Sequence, residues 1–505
     1  MASDCTPLPC SRRGVGMPVH SRTPRLGNAD SDIVVAGERS PRGHRIGRLC
    51  TAILLVIAVA RLGFAGIVHA RPALAVANDT DRYVPIARNI LIGQAYGWNR
   101  DRSGELLNTV GYPLFLAGVF GVVGREPADV ALAQLMLSGW VALVFNAILT
   151  RRLGPIPAFV SGLVLLLDPL STLWSMTILT ESLFAAVLGL GILLLASWAQ
   201  SPNRWALIAA GTAIGVACLV KPFAMLVAVL CAGSLAIYAG PLELRIGSRF
   251  WTATRRVLEF LLPVALLVAP WFWRNAVLWG CPSLSSVDRV TMRDYMAAKV
   301  LSEVQGVDLE AAQSRLRAED PGPCPEQTTK YWKIILANPG IYARLHAAGT
   351  VPVLIGTNFD RWLQYLGAEF SLPDLWRPYM DSGWAGLSRV ISEEARAFPQ
   401  GMSLMLGLSG WQVVMYALAF EGALAAWRQR LGGVRWATIV LLLVIAILVL
   451  TPGQGGHERF RVPVQPLLAI LIGYAVAWGR PRHSLSGRIA RSAPPRWPAG
   501  DADQG

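Results

Sequence analysis

Residues 436–452 read WATIVLLLVIAILVLTP and contain no ionisable side chain. A helix that crosses a bilayer needs about 20 predominantly apolar residues, and this stretch has that character. Similar stretches recur along the chain, which has 505 residues, of which 53% are hydrophobic and only 15% are charged. An ordinary soluble protein carries about 25% charged residues. The composition therefore predicts a membrane protein and excludes a disordered, collagen-like or disulfide-framework protein.

Ten segments are predicted to cross the membrane. They lie near 49–69, 128–150, 155–175, 181–199, 204–220, 222–239, 257–275, 402–426, 436–452 and 463–479. The predicted fold is therefore all-α, a polytopic membrane protein of about ten transmembrane helices. Helical spacing of apolar residues also predicts an amphipathic surface helix near 81–93 and another around Trp332, interrupted at Pro339.

The net charge of +14 indicates the orientation of these spans. Residues 1–48 form an Arg-rich arm without an apolar run, unlike a signal peptide. Such an arm is expected to be cytoplasmic, although an over-extended start codon is an alternative. With the arm inside, the cytoplasmic segments carry about three times as many basic as acidic residues, whereas the outer segments are nearly balanced. The excess charge is thus a topology signal and does not indicate nucleic-acid binding.

This topology predicts a multi-pass protein of the inner or plasma membrane with both termini in the cytoplasm. Its predicted parts are a disordered cytoplasmic arm at 1–48, an N-terminal transmembrane module at 49–275 with its first outer loop at 70–127, an extracytoplasmic loop region at 276–401, C-terminal transmembrane helices at 402–479 and a basic cytoplasmic tail at 480–505.

The sequence Asn78-Asp79-Thr80-Asp81-Arg82-Tyr83 follows the first span. A carboxylate at this outer surface could accept a proton from a sugar hydroxyl, and the guanidinium of Arg82 could bind a phosphate through two hydrogen bonds. Alternatively, Asn78 or Asp79 caps the helix that follows. The two roles do not exclude each other.

Four other polar groups are predicted to reach the same outer face. They are Thr180-Glu181, Lys221-Pro222, Arg274-Asn275 and Glu458-Arg459-Phe460-Arg461. Ionisable residues at membrane depth are costly, so they are by default functional or paired with one another. Carboxylates ringed by Lys221, Arg274, Arg459 and Arg461 would suit an anionic lipid phosphate. Ordinary interfacial anchoring is the alternative for each single group.

Other chemistries find little support in the sequence. There is no Gly-rich phosphate loop, and the six His residues show no metal-ligand spacing, so no metal site is predicted. Whether a divalent metal is needed is left open. Asp79-x-Asp81 matches the short acidic motif of nucleotide-sugar enzymes. Nucleotide sugars are cytoplasmic, however, whereas this motif is predicted to face outward, so a lipid-linked sugar donor is favoured. Cys281 and Cys324 share an outer loop and form a candidate disulfide, with two free thiols as the alternative.

Taken in order, these motifs resemble those of the GT-C superfamily of membrane glycosyltransferases, in particular bacterial relatives of protein O-mannosyltransferases and lipid A aminoarabinose transferases. The match covers roughly residues 50–480. It rests on Asp79-x-x-Arg82-Tyr83, Gly111-Tyr112-Pro113, Gln134, Thr180-Glu181, Lys221-Pro222, Pro270-Trp271-x-x-Arg274-Asn275, Asn338-Pro339-Gly340 and Glu458-Arg459-Phe460-Arg461.

The resemblance implies transfer of one sugar from a polyprenyl-phosphate carrier to an extracytoplasmic glycan, lipid or protein acceptor. Asp79 would be the catalytic carboxylate, with Asp81 and Glu181 as further candidates. The substrate-binding candidates are Arg82, Tyr83, Tyr112, Lys221, Arg274, Glu458, Arg459 and Arg461. Relatives commonly carry a basic residue before Gly-Tyr-Pro, whereas this chain has Asn108-Thr109-Val110. The identities of the sugar and the acceptor are not indicated.

Two other functions compete with this interpretation. A transporter or flippase of lipid-linked glycans would carry paired repeats and ionisable residues buried in mid-span, but only Arg61 and Asp168 lie well inside predicted spans. A catalytically degenerate relative that acts as an interaction protein is the second alternative; Asp79 and most of the motifs argue against it, and the departure at Asn108 keeps it open.

Overall fold

The structure, a computed structural model, describes residues 41–479 apart from 78, 95, 98–105, 239–245, 320–327, 430 and much of 369–395. The described residues are helical and contain no strand, which confirms the all-α prediction for this part of the chain. The predicted arm at 1–48, except for its last residues, and the predicted tail at 480–505 lie outside the described residues.

Long apolar runs form the main helices, and one of them, Ile246–Trp279, continues through two internal prolines, Pro263 and Pro270. In chain order, the helices in the first half are α1 (Pro41–Arg61), α2 (Phe64–Ala70), α3 (Thr80–Leu91), α4 (Gly111–Val122), α5 (Pro127–Leu153), α6 (Pro155–Leu167), α7 (Pro169–Ser175), α8 (Glu181–Gln200), α9 (Arg204–Val220), α10 (Ala224–Ile237) and α11 (Ile246–Trp279). The second half contains α12 (Val287–Val290), α13 (Ala298–Gln305), α14 (Leu309–Ala318), α15 (Thr328–Ala337), α16 (Pro339–Ile355), α17 (Phe359–Leu366), α18 (Pro399–Arg428), α19 (Gly432–Leu450) and α20 (Gln465–Trp478).

Each of the ten predicted spans coincides with one of these helices or with a neighbouring pair. Among the described residues, seven helical segments are long and apolar enough to cross a membrane, or eight if the bent pair α6 and α7 is one span. The helices α9 and α10, with 17 and 14 residues, are shorter than a full span. The chain is thus a multi-pass membrane protein, and a count of ten crossings stays a prediction.

A 51° bend separates α6 from α7. Pro169 begins α7, and the buried Asp168 caps it, because its Oδ2 accepts a hydrogen bond from Ser171 N at 2.7 Å. Arg61 is also buried and donates to the hydroxyls of Ser138 and Thr172. These hydrogen bonds give Arg61 and Asp168 structural partners.

The helix α8 and the final segment of the chain lie at the centre of the helical bundle, and both are mostly buried. The segment begins with a 3₁₀ helix, Glu458–Val464, which leads directly into α20. Beside it, α18 and α20 pack closely at Gly422, where a Cβ atom would overlap the carbonyl oxygen of Leu471. Any larger side chain at Gly422 would push these two helices apart.

The loop after α2, predicted to lie outside, carries α3, close to the predicted helix at 81–93. Ile86 and Ala87 on its apolar face are buried, whereas Asp81 and Arg88 are exposed. Ala87 belongs to the main hydrophobic core together with Tyr112 of α4. The predicted amphipathic face is therefore present, but it packs against protein, which holds the start of α3 in a fixed position.

The region between α11 and α18, predicted to be the second outer region, folds around a small core of its own, formed by Ala297, Ala298, Ala312, Leu316 and Tyr331. The helix around Trp332 ends at Ala337 and the next begins at Pro339, where the sequence predicts an interruption. Cys281 is disulfide-bonded. Its predicted partner, Cys324, lies outside the described residues.

Candidate active site

Four chain segments meet where several helices end. Asp79 precedes α3, and Glu181 begins α8. Lys221 directly follows α9, and Arg459 lies in the 3₁₀ helix before α20. Because α8 and α9 are consecutive antiparallel helices, the start of one and the end of the other lie side by side. The predicted convergence of these polar groups on one end of the bundle is thus seen in the structure.

The side chains of these four residues, together with Arg82, form a continuous series of ion pairs. Lys221 Nζ lies 3.0 Å from Glu181 Oε1, and Arg459 Nε lies 3.7 Å from the same oxygen. Arg459 Nη1 donates to Asp79 Oδ2 at 3.0 Å, and Arg82 Nη1 lies 3.8 Å from Asp79 Oδ1. We call these five residues the charged cluster. In it, cations and carboxylates alternate.

Exposure increases along the charged cluster. The side chain of Glu181 is 2% exposed and that of Lys221 is 12% exposed, whereas Asp79 is 29% and Arg82 is 41% exposed. The Lys221–Glu181 pair therefore lies inside the protein, and the Asp79 carboxylate is at the end that a substrate can reach. This gradient distinguishes a buried supporting pair from an accessible carboxylate.

The alternative that Asp79 caps a helix is tested directly by the geometry. Asp79 occupies the N-cap position of α3, but its side chain makes no capping hydrogen bond. Its carboxylate turns instead toward Arg459. Asn78, the other capping candidate, lies outside the described residues. The Asp79 carboxylate is thus held by Arg459 from the far end of the chain, with Arg82 of α3 as a more distant second partner, and not by a capping hydrogen bond.

Aromatic rings surround the charged cluster. Tyr83 meets Tyr112 edge to face with ring centroids 5.1 Å apart, and Tyr112 donates to Gln134 Oε1 at 3.2 Å. Burial and the nearby carboxylates of Asp79 and Glu181 raise the pKa of Tyr83 above its ordinary value, so its phenol keeps its proton. Tyr112 is wholly buried, which makes it a support for Tyr83 in this structure.

Two further aromatic residues were not singled out as site residues by the sequence. The ammonium nitrogen of Lys221 lies 5.2 Å from the ring centroid of Phe460 and 5.7 Å from that of Phe184. Rings at this distance attract a cation and shield it from water. The position of Phe460 next to Arg459 is the only sequence signal that could have suggested this role.

Other predicted site residues lie apart from the charged cluster. Arg461 donates to the backbone carbonyls of Val353, Leu354 and Gly356 at the end of α16. Glu458 pairs with His457 Nδ1 at 2.9 Å. Asp81 points outward on α3 and is exposed.

Arg274 makes a separate group at the end of α11. Its guanidinium lies 4.4 Å from the ring centroid of Trp271 and 5.2 Å from that of Tyr96, and it donates to Asn275 Oδ1. The hydroxyl of Tyr96 bonds the carbonyls of Asn108 and Thr109. Arg274 therefore braces the loop before α4 through Tyr96.

Within the described part of the chain, no three His, Cys, Asp or Glu side chains come together as a metal site would require. The groups of the charged cluster themselves offer two kinds of chemistry. An accessible carboxylate can accept a proton, and the adjacent guanidinium groups can bind phosphate oxygens.

No family model and no curated protein matches this chain. Two similar solved structures are those of ArnT from Cupriavidus metallidurans. The form bound to undecaprenyl phosphate has 16% identity and a TM-score of 0.37, over 85% of this chain and 76% of that chain. The apo form has 15% identity and a TM-score of 0.35, over 85% and 75%. At these TM-scores the likeness does not decide the function, which has to be inferred from the side chains of the site.

Proposed function

We propose that this protein is a membrane glycosyltransferase that moves one sugar from a polyprenyl-phosphate carrier to an extracytoplasmic acceptor. The observation that carries the proposal is the partly exposed carboxylate of Asp79, held between the guanidinium groups of Arg459 and Arg82. Such a reaction needs a group that accepts a proton and groups that bind a phosphate. Here the carboxylate and the two guanidinium groups are in direct contact. The order of sequence motifs, which resembles that of the GT-C superfamily, supports the same assignment.

In the proposed reaction, an acceptor hydroxyl attacks the anomeric carbon of the carrier-linked sugar. The bond from the acceptor oxygen to the anomeric carbon forms as the bond from that carbon to the phosphate oxygen breaks. The hydroxyl proton passes to Asp79, and the phosphate leaves with the electron pair. Arg82 and Arg459 stabilise the charge that develops on the leaving phosphate.

The buried pair Lys221–Glu181 supports this machinery from behind. Glu181 contacts Arg459 Nε at 3.7 Å while Lys221 neutralises the other side of its carboxylate. Glu181 thereby restricts the guanidinium plane of Arg459, which in turn orients Asp79. We assign Glu181 and Lys221 as positioning residues for this reason.

The test uses cells that lack the protein, complemented with the wild type, Asp79→Asn or Glu310→Gln. Glu310 is an exposed carboxylate of α14 in the outer region and serves as the matched control. Surface glycans, lipids and proteins are compared by mass spectrometry for a mass increment of one sugar. We expect the increment with the wild type and Glu310→Gln and its loss with Asp79→Asn.

Two outcomes would overturn the proposal. If Asp79→Asn restores the increment fully, Asp79 is not catalytic. If deletion changes no envelope component, the degenerate interaction protein is favoured. A flippase is distinguished in proteoliposomes, because it would move a labelled polyprenyl-phosphate sugar across the bilayer without changing its covalent attachment.

A further inference from the structure

A groove of about 680 Å³ runs between α9 and α11. Its wall on α11 is formed by Leu258, Leu262 and Leu266, which recur at intervals of one helical turn and are 59%, 58% and 66% exposed. In a multi-pass membrane protein such an exposed apolar strip faces hydrocarbon. The groove is thus shaped and lined to hold a lipid chain.

One end of the groove is polar. Arg255 Nε pairs with Glu259 Oε1 at 2.8 Å, and Trp251, which is 72% exposed, lies one turn before Arg255. Tryptophan is enriched where hydrocarbon meets the headgroup layer. An apolar strip that ends in an ion pair and an interfacial tryptophan matches a molecule with a chain and a charged headgroup.

Arg255 lies near the start of α11, and Arg274, which is outside the charged cluster, lies near its end. The two are 19 positions apart, and a rise of about 1.5 Å per residue separates them by roughly 28 Å along the helix. That distance is close to the thickness of the hydrocarbon core of a bilayer. Lys221 likewise follows the end of α9, whereas Ile208 in the groove is near its start. The headgroup in the groove would therefore lie at the opposite membrane face from the charged cluster.

The ion pair restricts which headgroup fits. Arg255 is 63% exposed and presents guanidinium hydrogens to a phosphate, while Glu259, 19% exposed, presents carboxylate oxygens that can accept from an ammonium group. We infer that this groove is a binding site for a phospholipid whose headgroup carries a primary ammonium, with phosphate on Arg255 and ammonium on Glu259. A choline headgroup has no N–H to donate, and a glycerol headgroup has no cation.

The inference is tested by native mass spectrometry of the delipidated full chain. The protein is titrated with phosphatidylethanolamine, phosphatidylcholine and phosphatidylglycerol of identical acyl chains. We expect phosphatidylethanolamine to be retained about fivefold more than the other two, the size expected for a surface ion pair. Glu259→Gln should remove this preference.

A second variant tests the groove itself. Leu262→Trp fills the apolar strip and should lower retention of all three lipids, whereas Leu442→Trp, at a 45% exposed position of α19, should not. Equal retention of the three lipids by the wild type would overturn the headgroup assignment. Equal lipid retention by the two tryptophan variants would overturn the assignment of the groove as the lipid-binding site. Because Glu259→Gln keeps the size and shape of the side chain, this variant keeps the test valid if Leu262→Trp does not fold.

Discussion

Arg459 Nη1 donates to Asp79 Oδ2 at 3.0 Å, although the two residues are 380 positions apart in the sequence. The contact joins the start of α3 to the 3₁₀ helix Glu458–Val464 that precedes α20. The proposed catalytic carboxylate therefore takes its orientation from the last membrane segment. Only the complete bundle brings the two groups together.

Replacing Arg459 by Gln should lower kcat of the proposed transfer by roughly 10²–10³, the loss typical of one electrostatic donor in an active site. The variant removes the group that orients Asp79 and binds the leaving phosphate. Arg459→Lys should recover part of the loss, since it restores the charge but not the planar fork. Steady-state kinetics in proteoliposomes measure both variants.

The matched control for this prediction is Arg344→Gln. Arg344 pairs with Glu303 at 2.8 Å on the exposed outer surface, so it shares the residue type and the partner type without contacting the charged cluster. Wild-type kcat in Arg459→Gln, or an equal loss in both variants, would contradict the proposed role.

Replacing Lys221 by Met should destabilise the protein by up to about 3–5 kcal/mol, because the buried carboxylate of Glu181 loses its nearest cation and keeps only Arg459 Nε at 3.7 Å. The side chain of Glu181 is 2% exposed, so water cannot substitute for the lost ammonium. Adding Glu181→Gln to this variant should recover most of the loss. Thermal unfolding in detergent measures the single and double variants.

An exposed ion pair provides the comparison. Lys330 and Glu319 pair on the surface, where such contacts contribute at most about 1 kcal/mol. Lys330→Met should therefore shift Tm much less than Lys221→Met. If the two lysine variants unfold alike, or the double variant recovers nothing, the Lys221–Glu181 pair is not a buried compensated pair.

Gly422→Ala should destabilise the bundle, whereas Gly410→Ala in the same helix should not. A Cβ atom at 422 would overlap the carbonyl oxygen of Leu471, while a Cβ atom at 410 meets no atom within 4 Å. Overpacking of this kind costs about 1–3 kcal/mol, and alanine in an open helical position gains up to about 1 kcal/mol over glycine. The two Tm values should move in opposite directions, and an unchanged or raised Tm in Gly422→Ala would contradict close packing at that position.

Arg461→Ala should loosen the end of α16. Its guanidinium binds the carbonyls of Val353, Leu354 and Gly356, which have no partner further along the helix. Hydrogen exchange of the last turn of α16 should become faster, with little change in the core of α8.

The control is Arg435→Ala, because Arg435 also donates to a backbone carbonyl at a helix end, that of Trp427, but from an exposed position. It should leave exchange in α16 unchanged. Unchanged exchange in α16 after Arg461→Ala would show that the tether does not hold this helix.

The sequence predicted the positions of the helices well, because bilayer-length apolar runs and prolines at their borders act locally. Pro339 shows this, since α16 begins at that residue. Topology alone also predicted that Asp79, Glu181, Lys221 and Arg459 reach one end of the bundle. The ion-pair partner of each of these side chains could not be predicted in the same way, because the pairing depends on contacts between segments that are far apart in the sequence.

Arg459 and Arg461 illustrate what the sequence could not resolve. Both belong to one short motif and were predicted to surround the same phosphate. In a 3₁₀ helix, with three residues per turn, side chains two positions apart point in different directions. Arg459 accordingly faces Asp79, and Arg461 faces the end of α16. Residues two positions apart diverge in any helix, but the motif itself does not show which of the two arginines faces Asp79.

The alternation of signs in the charged cluster also limits how far its electric field extends. From Lys221 through Glu181, Arg459 and Asp79 to Arg82, each charge is flanked by its opposite, and only one positive charge remains in excess. Such an array has a field that decays within a few ångströms, well inside the Debye length of about 8 Å at physiological ionic strength. Clefts with charges of one sign attract a charged ligand from a distance. The charged cluster would therefore not attract an anionic carrier in this way. The carrier would have to arrive by diffusion within the bilayer, and its capture rate should be nearly independent of salt.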